Sequence, residues 1–152
     1  MKKKIFLTIL AIVIQVSGVW AGDDKETAEK RALCEKGNST ACFEMGERYR
    51  MIEKDNKKAI KFYVMACDSG YMTGCTNGGI LTIMNGTPYS KEFKQARKMF
   101  TKACDAGEDP SCFNLGTLNY KEGRQKKALQ FYLKACDMGN KAGCAKHKRL
   151  SR

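Results

Sequence analysis

Histidine occurs once in the 152 residues, at His147. That scarcity excludes metal chemistry in which several imidazoles converge on one ion. No glycine-rich phosphate loop is present. The serine-nucleophile pattern Ser-x-x-Lys is also missing, because the residues three positions after Ser39, Ser69, Ser90 and Ser111 are Cys42, Met72, Phe93 and Asn114. Beyond residue 21 no apolar run approaches the roughly 20 residues needed to span a bilayer. No cysteine closely follows the N-terminal apolar run, so a lipoprotein anchor is not expected.

What is present begins with that run. Lys2, Lys3 and Lys4 precede an apolar stretch from Ile5 to Val19, and Val19-Trp20-Ala21 places small residues where a signal peptidase reads them. The pattern predicts a signal peptide over 1–21 and one mature domain over 22–152, with no stable membrane anchor after cleavage. The expected location is extracytoplasmic, secreted or periplasmic. Lysine and arginine number 28 against 16 aspartates and glutamates, and loss of the three leader lysines lowers the net charge from +12 to +9. Such a charge draws a protein toward anionic surfaces such as lipid headgroups or cell-wall polymers. Nucleic acid is not expected as a partner outside the cytosol. Lys57, Lys58, Lys126 and Lys127 fall where an exposed helix face is expected.

Eight cysteines, all after the leader, form four identical Cys-x7-Cys pairs: Cys34/Cys42, Cys67/Cys75, Cys104/Cys112 and Cys136/Cys144. Each pair has glycine three residues after its first cysteine, at Gly37, Gly70, Gly107 and Gly139. Upstream of three pairs runs an apolar stripe spaced i, i+3, i+4, i+7: Ala59, Phe62, Tyr63, Ala66; Ala96, Met99, Phe100, Ala103; and Ala128, Phe131, Tyr132, Ala135. That spacing puts four side chains on one face of an α-helix. The glycine suits the left-handed residue that ends it. Asp109-Pro110 then reads as the N-cap and first residue of the next helix.

The helices after each pair share Cys42-Phe-Glu-Met45-Gly46, Cys75-Thr-Asn-Gly78-Gly79 and Cys112-Phe-Asn-Leu115-Gly116. A mid-helix glycine is unfavourable by about 1 kcal/mol against alanine, so its recurrence predicts close approach of a neighbouring helix. At the ends the pattern turns polar: Glu26, Glu29, Lys30 and Leu33 stand at the first stripe, and His147-Lys148 replaces Leu-Gly in the last unit. Polar terminal units are what a stacked repeat array requires. The expected fold is therefore all-α, an α/α solenoid of about four disulfide-clamped helix pairs at about 24–51, 55–86, 90–122 and 124–150.

Uniform spacing makes pairing within each Cys-x7-Cys the most economical of the 105 connectivities that eight cysteines allow. A cysteine in the last turn of one helix and another in the first turn of the next come within disulfide reach across a glycine turn. Zinc would need shorter Cys-x2–4-Cys spacings and further ligands.

The strings Lys126-Lys127-Ala128-x-x-Phe131-Tyr132-x-Lys134-Ala135-Cys136-x-x-Gly139 and Cys112-Phe-Asn-Leu115-Gly116 resemble the Sel-one-like subclass of tetratricopeptide repeats. The added Cys-x7-Cys resembles the Helicobacter cysteine-rich proteins. The likeness runs from about Lys25 to Leu150. It implies an α/α superhelix, one disulfide per helix pair, export, and a penicillin-binding, weakly β-lactam-hydrolysing activity. By the same resemblance, Glu44, Arg48, Asn77, Asn114 and Asn119 are candidates to line a concave groove. The expected function is capture of a peptide, host protein, peptidoglycan fragment or β-lactam-like ligand in that groove by a monomer without cofactor or metal. A weak β-lactamase is the alternative, and its catalytic residues are not identifiable; Tyr49 and Tyr120 are the hydroxyls that come nearest.

Overall fold

The structure, a computed structural model, describes residues 24–84 and 86–152. The expected signal peptide and its cleavage point after Ala21 lie outside the described residues. Among these residues the chain forms eight α-helices and no strands: α1 (Lys25–Glu35), α2 (Ser39–Met51), α3 (Asn56–Asp68), α4 (Met72–Ile83), α5 (Lys91–Asp105), α6 (Asp109–Lys121), α7 (Gln125–Asp137) and α8 (Lys141–Leu150). No helix among them is long and apolar enough to cross a membrane. Each helix packs on its chain neighbours, and the array is an α/α solenoid in two layers, with α1, α3, α5 and α7 in one and α2, α4, α6 and α8 in the other.

The turn inside each Cys-x7-Cys is built the same way four times. Gly37, Gly70, Gly107 and Gly139 adopt φ between +88° and +98°, the left-handed region where a Cβ is costly. Each glycine N–H returns to the carbonyl of the first cysteine, and the next residue's N–H reaches one carbonyl further back, as in Asn38 N to Leu33 O at 3.0 Å and Asn140 N to Ala135 O at 2.9 Å. This pair of bonds is a Schellman ending. The residue that completes it also caps the following helix, so one helix stops and the next starts with no residue between them. Asn38 and Asn140 make the cap with their side chains, accepting from Ala41 N at 2.9 Å and Gly143 N at 2.8 Å.

This register moves one expectation. The N-cap of α6 is Glu108, not Asp109, which lies inside the first turn with Pro110. The carboxylate of Asp109 instead accepts from Asn140 Nδ2 at 2.7 Å, tying α6 to the start of α8.

Disulfides join Cys34–Cys42, Cys67–Cys75, Cys104–Cys112 and Cys136–Cys144, with Cα atoms 4.5 to 4.7 Å apart, and no described cysteine is free. Closing a loop of this length stabilises the fold by about 2.5 kcal/mol in a chain-entropy argument.

The stripes are the core. Ala59, Tyr63 and Ala66, then Ala96, Phe100 and Ala103, then Ala128, Tyr132 and Ala135 are almost wholly buried. Their rings lie on the mid-helix glycines: a Cβ at Gly46, Gly79 or Gly116 would stand 2.6 Å from Tyr63, Phe100 or Tyr132 respectively. Gly78, where other units have Met45 and Leu115, is explained by the same packing, since a Cβ there would meet Met99 Cε at 2.5 Å. The long α5 side chain fills what the missing one vacates. At the N-terminal end α1 buries only Thr27 and Cys34, and Leu33 remains 47% exposed.

Candidate functional site

The helices that follow each clasp, α2, α4, α6 and α8, bury one side and present the other. Their positions two and five residues after the second cysteine share the open side: Glu44 and Glu47, Asn77 and Ile80, Asn114 and Thr117, Lys146 and Arg149. A spacing of three residues keeps each pair on one face.

At the N-terminal end, Lys30 bridges Glu26 at 2.8 Å and Glu44 at 2.9 Å, and these two carboxylates hold its ammonium well above the ordinary lysine range. Arg48 Nε stands 3.5 Å from Glu53 Oε1 as an ion pair without a hydrogen bond. Glu44 and Arg48 line a cleft of about 320 Å³ with Thr27, Lys30 and Met51. Tyr49, one of the two candidate hydroxyls, lies behind this face: its ring stacks on Phe62 at 5.2 Å and its oxygen accepts from Arg31 at 3.1 Å.

Between α2 and α4 a network closes around Tyr63. Its hydroxyl donates to Glu47 Oε1 and accepts from Arg50 Nε at 3.0 Å. Arg50 also pairs with Glu47 Oε2 at 2.7 Å, and Asn77 Nδ2 donates to Glu47 Oε1 at 3.0 Å. Burial, helped by the hydrogen bond to Glu47, pushes the Tyr63 phenol up to about 12. Burial works to raise Glu47 as well, but hydrogen bonds from Arg50, Tyr63 and Asn77 outweigh it and hold the carboxyl below its usual value. Asn77 then lines a smaller cleft, of about 150 Å³, with Arg50, Ile80 and Leu81.

Between α6 and α8 the equivalent hydroxyl, Tyr132, lies 3.3 Å from Thr117 Oγ1. Burial raises its phenol too, against the hydrogen bond it shares with Thr117. Asn114 is half-buried, and no hydrogen-bond partner engages its amide among the described residues. Tyr120, the other candidate hydroxyl, is 46% exposed.

Asn119 does not line the groove. It is 1% exposed, its amide donates to Leu115 O at 2.8 Å, and its Oδ1 accepts from Arg97 at 3.4 Å. Arg97 continues to Glu122, whose side chain is 3% exposed and also pairs with Arg124 at 2.9 Å. The hydroxyl of Tyr89 donates to the Glu122 carbonyl. This cluster, built on the buried Glu122, anchors the link before α5 to the end of α6. Glu47, Thr117 and Arg149 were not singled out from sequence, although the i, i+3 spacing from Glu44, Asn114 and Lys146 carries the signal.

No group of three or more His, Cys, Asp or Glu side chains that could hold a metal occurs among the described residues. Ser111 is buried against Thr76 at 2.7 Å between α4 and α6, and Ser90 caps α5.

A two-layer array of repeated helix pairs defines a helical-repeat protein. The Sel1 repeat model matches residues 39–71, 79–108 and 109–140, more than half of the chain, and the chain belongs to the Sel1 repeat family, in a cysteine-rich form. Each match ends between the two cysteines of a clasp, and Cys104–Cys112 joins two adjoining matched segments. Among solved structures, a Sel1 repeat protein from Oxalobacter formigenes superposes with a TM-score of 0.61 at 21% identity, over 82% of this chain and 98% of that one. Cysteine rich protein B of Helicobacter pylori gives 0.53 at 22% identity over the same shares. At these identities the likeness is one of fold. No curated protein sequence matches the chain.

Proposed function

We propose that this protein is an extracytoplasmic recognition scaffold that holds a protein partner as an extended segment across α2, α4, α6 and α8. The observation that carries the reading is the repeated open register. Asn77 and Asn114 stand at the same position of successive helices, and Asn114 keeps both its donors and its acceptor unengaged. A carboxamide of this kind matches the donor and acceptor of a peptide group, and its recurrence on successive helices offers an extended segment more than one such contact. Membership of a helical-repeat family supports a protein partner, and four disulfides support an oxidising compartment.

The test is selection of peptides from a random display library on the oxidised protein, followed by calorimetry of an enriched peptide. Asn114→Ala should weaken it about tenfold, the loss of a hydrogen bond or two to a peptide. Unchanged affinity in Asn77→Ala and Asn114→Ala would remove the basis for the groove. The β-lactam hydrolysis implied by the resemblance has no observation in its favour among the described residues. Turnover of a chromogenic β-lactam above that of a matched non-enzymatic repeat protein would establish it.

A further inference from the structure

The outward side of the other layer carries a regular array of charge. Counted back from the first cysteine of each clasp, the buried stripe occupies positions eight, five, four and one. Positions ten and six fall on the opposite side of the same helix. In α3 they are Lys57 and Lys61, in α5 Lys94 and Lys98, and in α7 Lys126 and Gln130, and all six side chains are exposed.

None of these five lysines has an acidic partner among the described ion pairs, whereas lysines elsewhere on the same helices do have partners. Lys102 reaches back from α5 to the carbonyl of Cys67 in α3 at 2.6 Å, and Lys134 reaches from α7 to Asp105 in α5 at 3.2 Å. Those contacts set α3, α5 and α7 side by side, so the five free ammonium groups form a grid on one face and not a line. Arg97, the arginine of these helices' middle turns, is turned away to Glu122.

We infer that this face is a docking surface for an anionic lipid bilayer, engaged by electrostatic adsorption. Three features favour a bilayer over an anionic thread. The grid extends in two dimensions. It lies on the side of the layer away from the stripe, and only at its Lys126 end does it border a cleft among those described, with Arg124, Gln125 and Leu129. Its cations are lysines, which act as point charges toward a diffuse anionic surface and lack the planar fork that recognises individual phosphate or sulfate groups. The grid faces away from α2, α4, α6 and α8, so a bound surface leaves the proposed groove open.

The experiment is flotation of the oxidised, exported protein with phosphatidylcholine vesicles containing phosphatidylglycerol and with phosphatidylcholine vesicles alone, at low and high salt. The expected result is binding to the anionic vesicles alone, weakened by salt, and lost in K57Q/K61Q/K94Q/K98Q/K126Q. A matched variant, K25Q/K36Q/K121Q/K141Q/K148Q, removes the same charge elsewhere and should retain most binding. Each grid lysine is expected to contribute about fivefold. Equal loss in both variants would reduce the effect to net charge and overturn the proposal, as would failure of the native protein to float. Grid-dependent binding to dextran sulfate without binding to vesicles would overturn the lipid assignment in favour of a polymer. Should the grid variant fail to fold, lysine acylation of the native protein followed by mass spectrometry decides instead: vesicles must protect Lys57, Lys61, Lys94, Lys98 and Lys126 ahead of Lys25 and Lys141.

Discussion

Tyr63 is buried at its ring, where it fills the space over Gly46, and engaged at its hydroxyl by Glu47 and Arg50. One side chain thus serves the core and the open face together. Its phenol ionises near 10 in an unfolded chain and near 12 when folded, so the folded state keeps the proton longer. The stability that follows is fully present below pH 10 and is lost as pH rises toward 12. Tyr63→Phe should therefore be less stable at neutral pH by about 1 kcal/mol, the value of one hydrogen bond. It should also lose part of the alkaline decline, with Tyr132 retaining the remainder. Urea midpoints measured across the alkaline range check this, and an unchanged slope in the phenylalanine variant would refute it. Glu47 acts in the opposite sense: its depressed carboxyl supports the fold above its ordinary value of 4.5 and releases that support as pH falls through the folded value. The residue scale is also where sequence reasoning about the groove fell short. Asn119 lies five positions beyond Asn114, which rotates it about 140° around the helix. Its counterparts in the repeat, Tyr49 and Thr82, are buried as it is.

The helices α2, α4 and α6 each meet the following striped helix through a glycine and a ring, and this joint sets how closely the two layers approach. Gly116→Ala would place a methyl 2.6 Å from Tyr132 Cδ1. Overpacking of this kind costs about 1–3 kcal/mol, more than the roughly 1 kcal/mol that alanine returns in helix propensity. The variant should lose up to about 2 kcal/mol net in urea unfolding, and a variant more stable than the parent would show that the joint is not tight. The elements were legible in the sequence because their signals are local. The stripe has the helical period, the glycine marks the left-handed stop, and the cysteines fix the register between them. The contacts between residues far apart in the chain were not legible in the same way. Thr76 with Ser111, Asn77 with Glu47 and Arg97 with Glu122 join residues 25 to 35 positions apart, and the superhelix that brings them together is written in no single unit.

Across the whole molecule the four clasps are unequal in exposure. The first three keep all six cysteines at 3% exposure or less, whereas Cys136 and Cys144 are half-buried. The reason is positional: α7 and α8 close the array, and no further helix pair stacks on them among the described residues. Attack by a thiolate requires access to sulfur, so graded reduction followed by alkylation should label Cys136 and Cys144 before any other cysteine. Simultaneous labelling of all eight, or prior labelling of Cys34 and Cys42, would contradict that order. The placement of the clasps across repeat boundaries has a genetic consequence. A tandem copy of the stretch from one boundary to the next adds two sulfurs, one for the joint by which it enters the array and one for the joint by which it leaves. Unequal crossing-over can then lengthen or shorten such an array without ever stranding an unpaired, reactive thiol.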